Sequence, residues 1–167
     1  MTKYKFALPA AAMFALLAGP AVAALSSTDR SFAQNAAAGG LAEVALGQLA
    51  QQNASSQQVK AFGQQMVTDH GQANQELQRI AQTENLTLPT APASKDQALQ
   101  KRLSGLKGSA FDAAYMQDMV KDHKQDVAEF QREAQSGQDP ALRAFALKTL
   151  PTLQKHLQMA EAASAQK

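Results

Sequence analysis

Apolar residues recur every three or four positions over most of the sequence after residue 28, which is the spacing of one face of an α-helix. Four long stretches show this pattern. We predict helices over residues 29–52, about 55–84, 109–136 and 140–163. The chain is also rich in Ala, Gln and Leu, and aromatic residues make up only 5% of it, a mixture typical of helices. The sequence therefore predicts an all-α fold.

Short signals mark several helix ends. Ser27 or Thr28 is suited to cap the first helix, and Asp139 followed by proline is typical of a helix start. The Ser-Lys-Asp-Gln sequence at residues 94–97 resembles a capping box. It predicts an additional short helix that ends near residue 105.

The lengths of the connections predict how the helices are arranged. Only a few residues join the first long helix to the second, and the third to the fourth, so each pair is expected to form an antiparallel hairpin. Residues 85–108 join the two pairs and are long enough to cross the length of a bundle. We therefore predict a four-helix bundle with a long crossover between its second and third long helices, in the up-down-down-up arrangement rather than up-down-up-down.

The first 23 residues have the features of a cleavable secretory signal peptide. A basic start precedes an apolar run from Phe6 to Leu17, and Ala-Val-Ala at 21–23 is typical of a cleavage site. The run is shorter than the roughly 20 apolar residues of a transmembrane helix. We predict one domain over residues 24–167, without a transmembrane segment after processing, in the periplasm or otherwise exported, with outer-membrane association as a further option.

Charge and cysteine content exclude several classes of partner and site. The chain has 16 basic and 14 acidic residues, and cleavage of the signal peptide removes the basic Lys3 and Lys5 and leaves the two numbers equal. No basic cluster remains to neutralise phosphates, which argues against nucleic-acid binding. The absence of cysteine excludes disulfides, lipoprotein attachment and thiolate metal ligands. The sequence identifies no protein partner.

Polar residues that can bind metal ions lie on the inward faces of the long helices. His70, His123 and His156 each follow an apolar core residue by three or four positions. Glu43 lies in a seam of Ala and Gly on the first helix, where an unpaired charge would be costly. Counted from the hairpin turns, the members of each helix pair differ in height by about 7 Å. All four side chains are therefore predicted to meet in one layer.

Imidazole and carboxylate groups in the core of a bundle are typical of metal sites. We predict a site for a divalent transition metal, which would be Zn, Fe, Mn or Cu. The predicted ligands are one carboxylate and three imidazoles, one from each long helix: Glu43, His70, His123 and His156. Asp69 and Asp122 flank the core stripes and are expected to orient ligands or face the surface, and Asp126 is an alternative ligand.

A metal-free interpretation stays open. In it, Glu43 accepts hydrogen bonds from one or two histidines, and the polar layer only specifies how the helices pack. The protein would then be a structural or interaction module of the cell envelope or of a stress response. The sequence has no nucleophile paired with a base and no phosphate-binding loop, so it does not indicate an enzyme.

Two segments repeat the pattern Met-Val-x-Asp-His, at residues 66–70 and 119–123. Together with Phe-Asp-Ala-Ala-Tyr at 111–115, the stretch 150–157 and Glu43, they resemble the domain of unknown function 4142 family. That family consists of exported bacterial proteins, often labelled predicted outer-membrane proteins, with a ferritin-like bundle. The resemblance covers essentially the whole mature chain and implies the fold and export, but no activity.

Ferritin-like di-iron proteins use several carboxylates and Glu-x-x-His pairs. No Glu-x-x-His occurs in this sequence, and the inward set contains one carboxylate and three histidines. A carboxylate-bridged di-iron oxidase is therefore disfavoured, and a mononuclear site or none is expected.

Overall fold

The computed structural model describes residues 25–165, and within this range it contains five α-helices and no strand. The helices, in chain order, are α1 (Ser27–Asn53), α2 (Gln57–Thr83), α3 (Ser94–Ser104), α4 (Gly108–Ser136) and α5 (Pro140–Ser164). The predicted all-α fold is confirmed. None of these helices combines the length and apolar character that crossing a membrane requires. The predicted signal peptide lies outside the described residues.

The first helix begins earlier than the sequence pattern indicates. Ser26 is its cap, and its hydroxyl accepts a hydrogen bond from the backbone N–H of Asp29 at 3.0 Å. The prediction of Ser27 or Thr28 as the cap is wrong, since both lie inside α1. Either hydroxyl could reach an N–H three residues on, and the sequence alone does not show which of three consecutive hydroxyl residues leaves the helix.

Of the caps predicted for α3 and α5, one is confirmed and one is wrong. Asp139 caps α5 as predicted, and it accepts a hydrogen bond at 2.8 Å from the backbone N–H three residues on. The predicted capping box at Ser94 is wrong, because Ala93 is the cap residue and makes no side-chain bond. Gln97 donates instead to the carbonyl oxygen of Pro92 at 2.8 Å. This contact replaces the reciprocal bonds of a capping box.

Hydrogen bonds between the ends of the helices confirm the up-down-down-up arrangement. Asp112, near the start of α4, accepts hydrogen bonds from the α1–α2 turn at residues 55–56, at 2.6–3.2 Å. At the other end of the bundle, Asp29 near the start of α1 accepts hydrogen bonds from the α4–α5 turn at residues 138–139, at 3.0 and 3.1 Å. Helix α1 therefore runs antiparallel to α4, and the segment between α2 and α4 crosses the length of the bundle.

The helices surround the core in a fixed order. Helix α1 packs against α2 and α4, and α5 packs against the same two helices. Since α2 and α4 both start at the same end, they run parallel at opposite corners of the bundle. These are the two helices that carry the repeated Met-Val-x-Asp-His segments. The short helix α3 lies in the crossover and contacts α1 and α4.

Two glycines bring α1 and α2 into direct backbone contact. A Cβ atom on Gly63 would lie 2.7 Å from the carbonyl oxygen of Gly47 and 2.7 Å from the Cβ of Ala50. A Cβ atom on Gly47 would lie 2.5 Å from the carbonyl oxygen of Gly63. Neither position has room for a larger residue, so the close approach of the two helices depends on glycine at both.

The core consists of two apolar clusters with a polar layer between them. One cluster surrounds Phe62, Tyr115 and Met119, and the other surrounds Phe32 and Phe130. On each long helix, one polar residue falls between the residues that belong to the two clusters. These buried polar residues are Glu43 on α1, His70 on α2, His123 on α4 and His156 on α5.

Candidate metal centre

Three histidines from three helices lie together in the polar layer. His70, His123 and His156 are 7%, 0% and 1% exposed, and their ring centroids are 5.4–5.8 Å apart. Each contributes one ring nitrogen to a set whose members all lie within 4.8 Å of one another. Across residues 25–165, this is the one group of three or more His, Asp or Glu side chains arranged so closely.

Hydrogen bonds set the tautomers of two of these rings. Nδ1 of His123 is 3.0 Å from the carbonyl oxygen of Met119, which can only accept, so Nδ1 carries the proton and Nε2 a lone pair. Nε2 of His156 is 2.8 Å from Oδ2 of Asp69, and the same reasoning leaves the lone pair on Nδ1. Neither of these two remaining nitrogens has a hydrogen-bond partner, and Nε2 of His70 has none either.

The surroundings keep all three rings neutral. Burial is the main reason that the pKa of His123 is lowered to about 4, and His156 lowers it further. Burial and the two other histidines hold the pKa of His70 well below its usual value. The pKa of His156 is also lowered by burial, although its hydrogen bond to Asp69 opposes this effect. At neutral pH the lone pairs are therefore free for a ligand or a metal ion.

An aromatic ring and a small cavity both adjoin the histidines. The ring of Phe62 lies edge-on to His123 and His156, with centroid distances of 6.2 and 6.4 Å. A cavity of about 20 Å³ adjoins His70 and is also lined by Asp126. A cavity of this size has room for about one water molecule. The centre is thus shielded by an apolar side chain and has space for a small additional ligand.

Glu43, which the sequence predicts as the fourth ligand, is not in the histidine group. Its side chain is fully buried, and neither carboxyl oxygen receives a hydrogen bond from a donor group. Burial raises the pKa of Glu43 well above its usual value, and the negative charges of Asp122 and Asp126 raise it further. Two carboxyl groups can form a hydrogen bond only when one is protonated, so Glu43 can bond to Asp122 only in that state.

The three aspartates that the sequence analysis names lie in two different parts of the bundle. Asp69 contacts His156, as described above. Asp122 and Asp126 lie beside Glu43, because α4 packs against α1. Burial, followed by the charge of Asp122, raises the pKa of Asp126 to about 8.

One further aspartate near Glu43, Asp96, was missed by the sequence reasoning. It lies in the first turn of α3, and its negative charge reaches both Glu43 and Asp126. The sequence around it indicates only a helix start. Since hydrophobic spacing does not reveal where a short crossover helix packs, no sequence signal connects Asp96 with the buried carboxyl groups.

Two crystal structures share this fold. The chain is similar to a DUF305 fragment from Deinococcus radiodurans, with a TM-score of 0.74 and 12% identity over 86% of this chain and 99% of that one. It is also similar to a DUF305 protein from Streptomyces coelicolor, with a TM-score of 0.69 and 13% identity over 80% of this chain and 88% of that one. At such low identity the likeness shows the helical fold alone.

The sequence comparisons identify a family without a known activity. No curated protein matches the chain. A family model described as "Domain of unknown function (DUF4142)" matches residues 15–163, which is most of the sequence and includes all three histidines. The chain therefore belongs to the DUF4142 family.

Proposed function

We propose that this protein binds a divalent transition metal ion through His70, His123 and His156. The observation that carries the proposal is a group of three buried imidazoles whose ring nitrogens lie within 4.8 Å of one another, while each ring has a buried nitrogen without a hydrogen-bond partner. A buried polar atom left unpaired costs on the order of 1–3 kcal/mol. A metal ion bound by all three rings would pair these atoms at once.

The metal-free alternative predicts a different set of contacts. If the polar layer served only to specify packing, Glu43 would accept hydrogen bonds from the histidines. In the structure, the N–H of His156 is directed to Asp69 and the N–H of His123 to the carbonyl oxygen of Met119. The nitrogens that remain on these two rings are acceptors, and two acceptors cannot bond to each other. This arrangement supports the metal site over the metal-free layer.

The contacts around the rings are those that a metal site requires. Histidine ligands in metalloproteins donate their second ring N–H to a carboxylate or a backbone carbonyl, which fixes the tautomer and orients the ring. Asp69 and the carbonyl of Met119 occupy these two roles. Three neutral nitrogen donors suit Zn²⁺ or Cu²⁺ better than Mn²⁺, which prefers oxygen ligands. Three protein ligands also leave a coordination position open for water or another small molecule.

The site functions outside the cytoplasm in this proposal. The support is the basic, apolar and Ala-Val-Ala pattern of residues 1–23. If the signal peptide is cleaved after Ala23, the periplasmic protein has the intact mass of a chain that begins at Ala24. Recovery of only the uncleaved chain, in the cytoplasmic fraction, would contradict export.

Replacing Asp69 by asparagine tests whether the contact of Asp69 with His156 supports metal binding. We expect Asp69→Asn to weaken Zn²⁺ binding by about 10–100-fold, because the orienting carboxylate is lost while all three ligands remain. Competition with a chromophoric chelator measures the affinity of protein purified without a histidine tag. Glu76→Gln is a matched control on the same helix, since Glu76 pairs with Lys148 at 2.7 Å on the surface. Equal affinity for Asp69→Asn and wild type would contradict the assigned contact.

A further inference from the structure

A second group of polar side chains lies apart from the histidines, where α1, α3 and α4 meet. It contains four carboxyl groups, which we call the carboxyl cluster: Glu43 from α1, Asp96 from α3, and Asp122 and Asp126 from α4. Asp122 and Asp126 are four residues apart and therefore lie on one face of α4. Three helices thus bring four acidic groups close enough to influence one another's pKa.

Glu43 is the member that most needs a partner. It is 0% exposed, and both of its oxygens are buried without a hydrogen-bond donor. The ionisable groups that act on it are Asp122, Asp126 and Asp96, none of which can carry a positive charge. A buried carboxylate is normally paired with a cation or bound to a metal ion. Glu43 lies among aspartates instead, and in their ionised form these supply only acceptor oxygens.

Positive charge near the cluster is confined to its rim. Lys95 lies 3.8 Å from Asp96, and its side chain is 71% exposed. One turn earlier on α4, Asp118 is paired with Arg102. Among the ion pairs of the described residues, none includes Glu43, Asp122 or Asp126. These three carboxyl groups therefore have no basic side chain paired with them, whereas the neighbouring Asp118 is paired with Arg102.

We propose that Glu43, Asp122 and Asp126 form a second cation site, which takes a hard divalent ion such as Mn²⁺, Mg²⁺ or Ca²⁺. Carboxylate oxygens are the ligands that these ions prefer, and the ions usually retain water molecules in their coordination. In the described part of the chain, only the histidine nitrogens form a group within 4.8 Å of one another, so the carboxyl side chains must move closer together to bind an ion.

This second site differs from the proposed histidine site in its ligands and chemistry, although Asp126 and His70 line the same small cavity. The carboxyl oxygens are outside the group of nitrogens that lie within 4.8 Å of one another. Oxygen-only ligands favour hard ions, whereas the three imidazoles favour Zn²⁺ or Cu²⁺. The two sites are therefore expected to bind different metals, and either one can exist without the other.

Titration with Mn²⁺, followed by the loss of the free-ion signal in electron paramagnetic resonance, tests the carboxyl site. Wild-type protein is expected to bind Mn²⁺. Glu43→Gln is expected to weaken this binding at least about tenfold, because the amide keeps the shape of the side chain but removes the carboxylate ligand. His123→Ala is expected to retain Mn²⁺ binding. Asp118→Asn, on the same helix as Asp122 but paired with Arg102, is the matched control and is also expected to retain it.

Three results would overturn the carboxyl site. They are the absence of Mn²⁺ binding by wild type at millimolar concentration, unchanged binding by Glu43→Gln, and loss of Mn²⁺ binding in His123→Ala, which would indicate a single mixed site. Thermal unfolding in metal-free buffer establishes that each variant is folded, and Asp126→Asn provides a second variant if Glu43→Gln does not fold. Because Mn²⁺ binding is measured directly, failure of the histidine site to bind Zn²⁺ would leave this test unaffected.

Discussion

Replacing His123 by alanine is expected to weaken Zn²⁺ binding by at least about a hundredfold. Loss of a group that only orients a ligand already costs 10–100-fold in typical metal sites, and His123 is a direct ligand in the proposed site. Its ring is fully buried, and its centroid lies 5.8 and 5.4 Å from those of His70 and His156. Among the described residues, no fourth His, Asp or Glu side chain belongs to this group. Calorimetric titration of tag-free protein measures the change.

The alanine variant also removes packing, so stability must be separated from metal binding. Deleting a buried ring leaves a cavity and lowers the free energy of unfolding with or without metal. The informative quantity is the increase in Tm that Zn²⁺ produces, since only a ligand that binds the folded state produces it. We expect this increase in wild type and in Lys124→Ala, an exposed neighbour on α4, and we expect it to be absent in His123→Ala. An equal increase in His123→Ala and wild type would contradict a ligand role for His123.

Replacing Gly63 by alanine is expected to destabilise the bundle by about 1–3 kcal/mol, the usual cost of inserting a methyl group into a well-packed contact. The added Cβ would lie 2.7 Å from the carbonyl oxygen of Gly47 and 2.7 Å from the Cβ of Ala50. Neither of these atoms belongs to a flexible side chain, so α1 and α2 must move apart. Urea unfolding followed by circular dichroism gives the free energy of unfolding.

Gly71 provides a control on the same helix with the opposite expected sign. A Cβ atom at Gly71 would meet nothing within 4 Å. Alanine there should stabilise the protein by about 0.5–1 kcal/mol, because glycine inside a helix loses more conformational freedom on folding. If Gly63→Ala and Gly71→Ala change stability in the same direction and by the same amount, the close contact between α1 and α2 does not determine the packing of this pair.

Most of the fold could be predicted from the sequence because helical spacing and loop length are local properties. The long segment between the second and third long helices allows a crossover, and the contacts of Asp112 and Asp29 with opposite turns show that one is formed. The starts of two helices were less predictable. Ser26, Ser27 and Thr28 all carry hydroxyl groups, and only tertiary packing determines which of them leaves the helix.

The candidate site was predictable only in part, for a geometric reason. The periodicity of a helix shows that a residue faces inward, and it placed His70, His123 and His156 in the core. It does not show which neighbouring helix a residue meets. Glu43 faces the core of the bundle, but α1 packs against α4, which places it beside Asp122 rather than within the histidine group.

Elemental analysis of protein purified without a histidine tag tests the histidine centre most directly. After incubation with Zn²⁺ and dialysis against metal-free buffer, wild-type protein is expected to retain zinc in a fixed ratio to the chain. The same treatment should leave no zinc on a variant in which His70, His123 and His156 are all replaced by alanine, provided that its circular dichroism spectrum shows a folded helical protein. Zinc-free wild-type protein, or equal zinc in wild type and the triple variant, would contradict a metal centre formed by these three histidines.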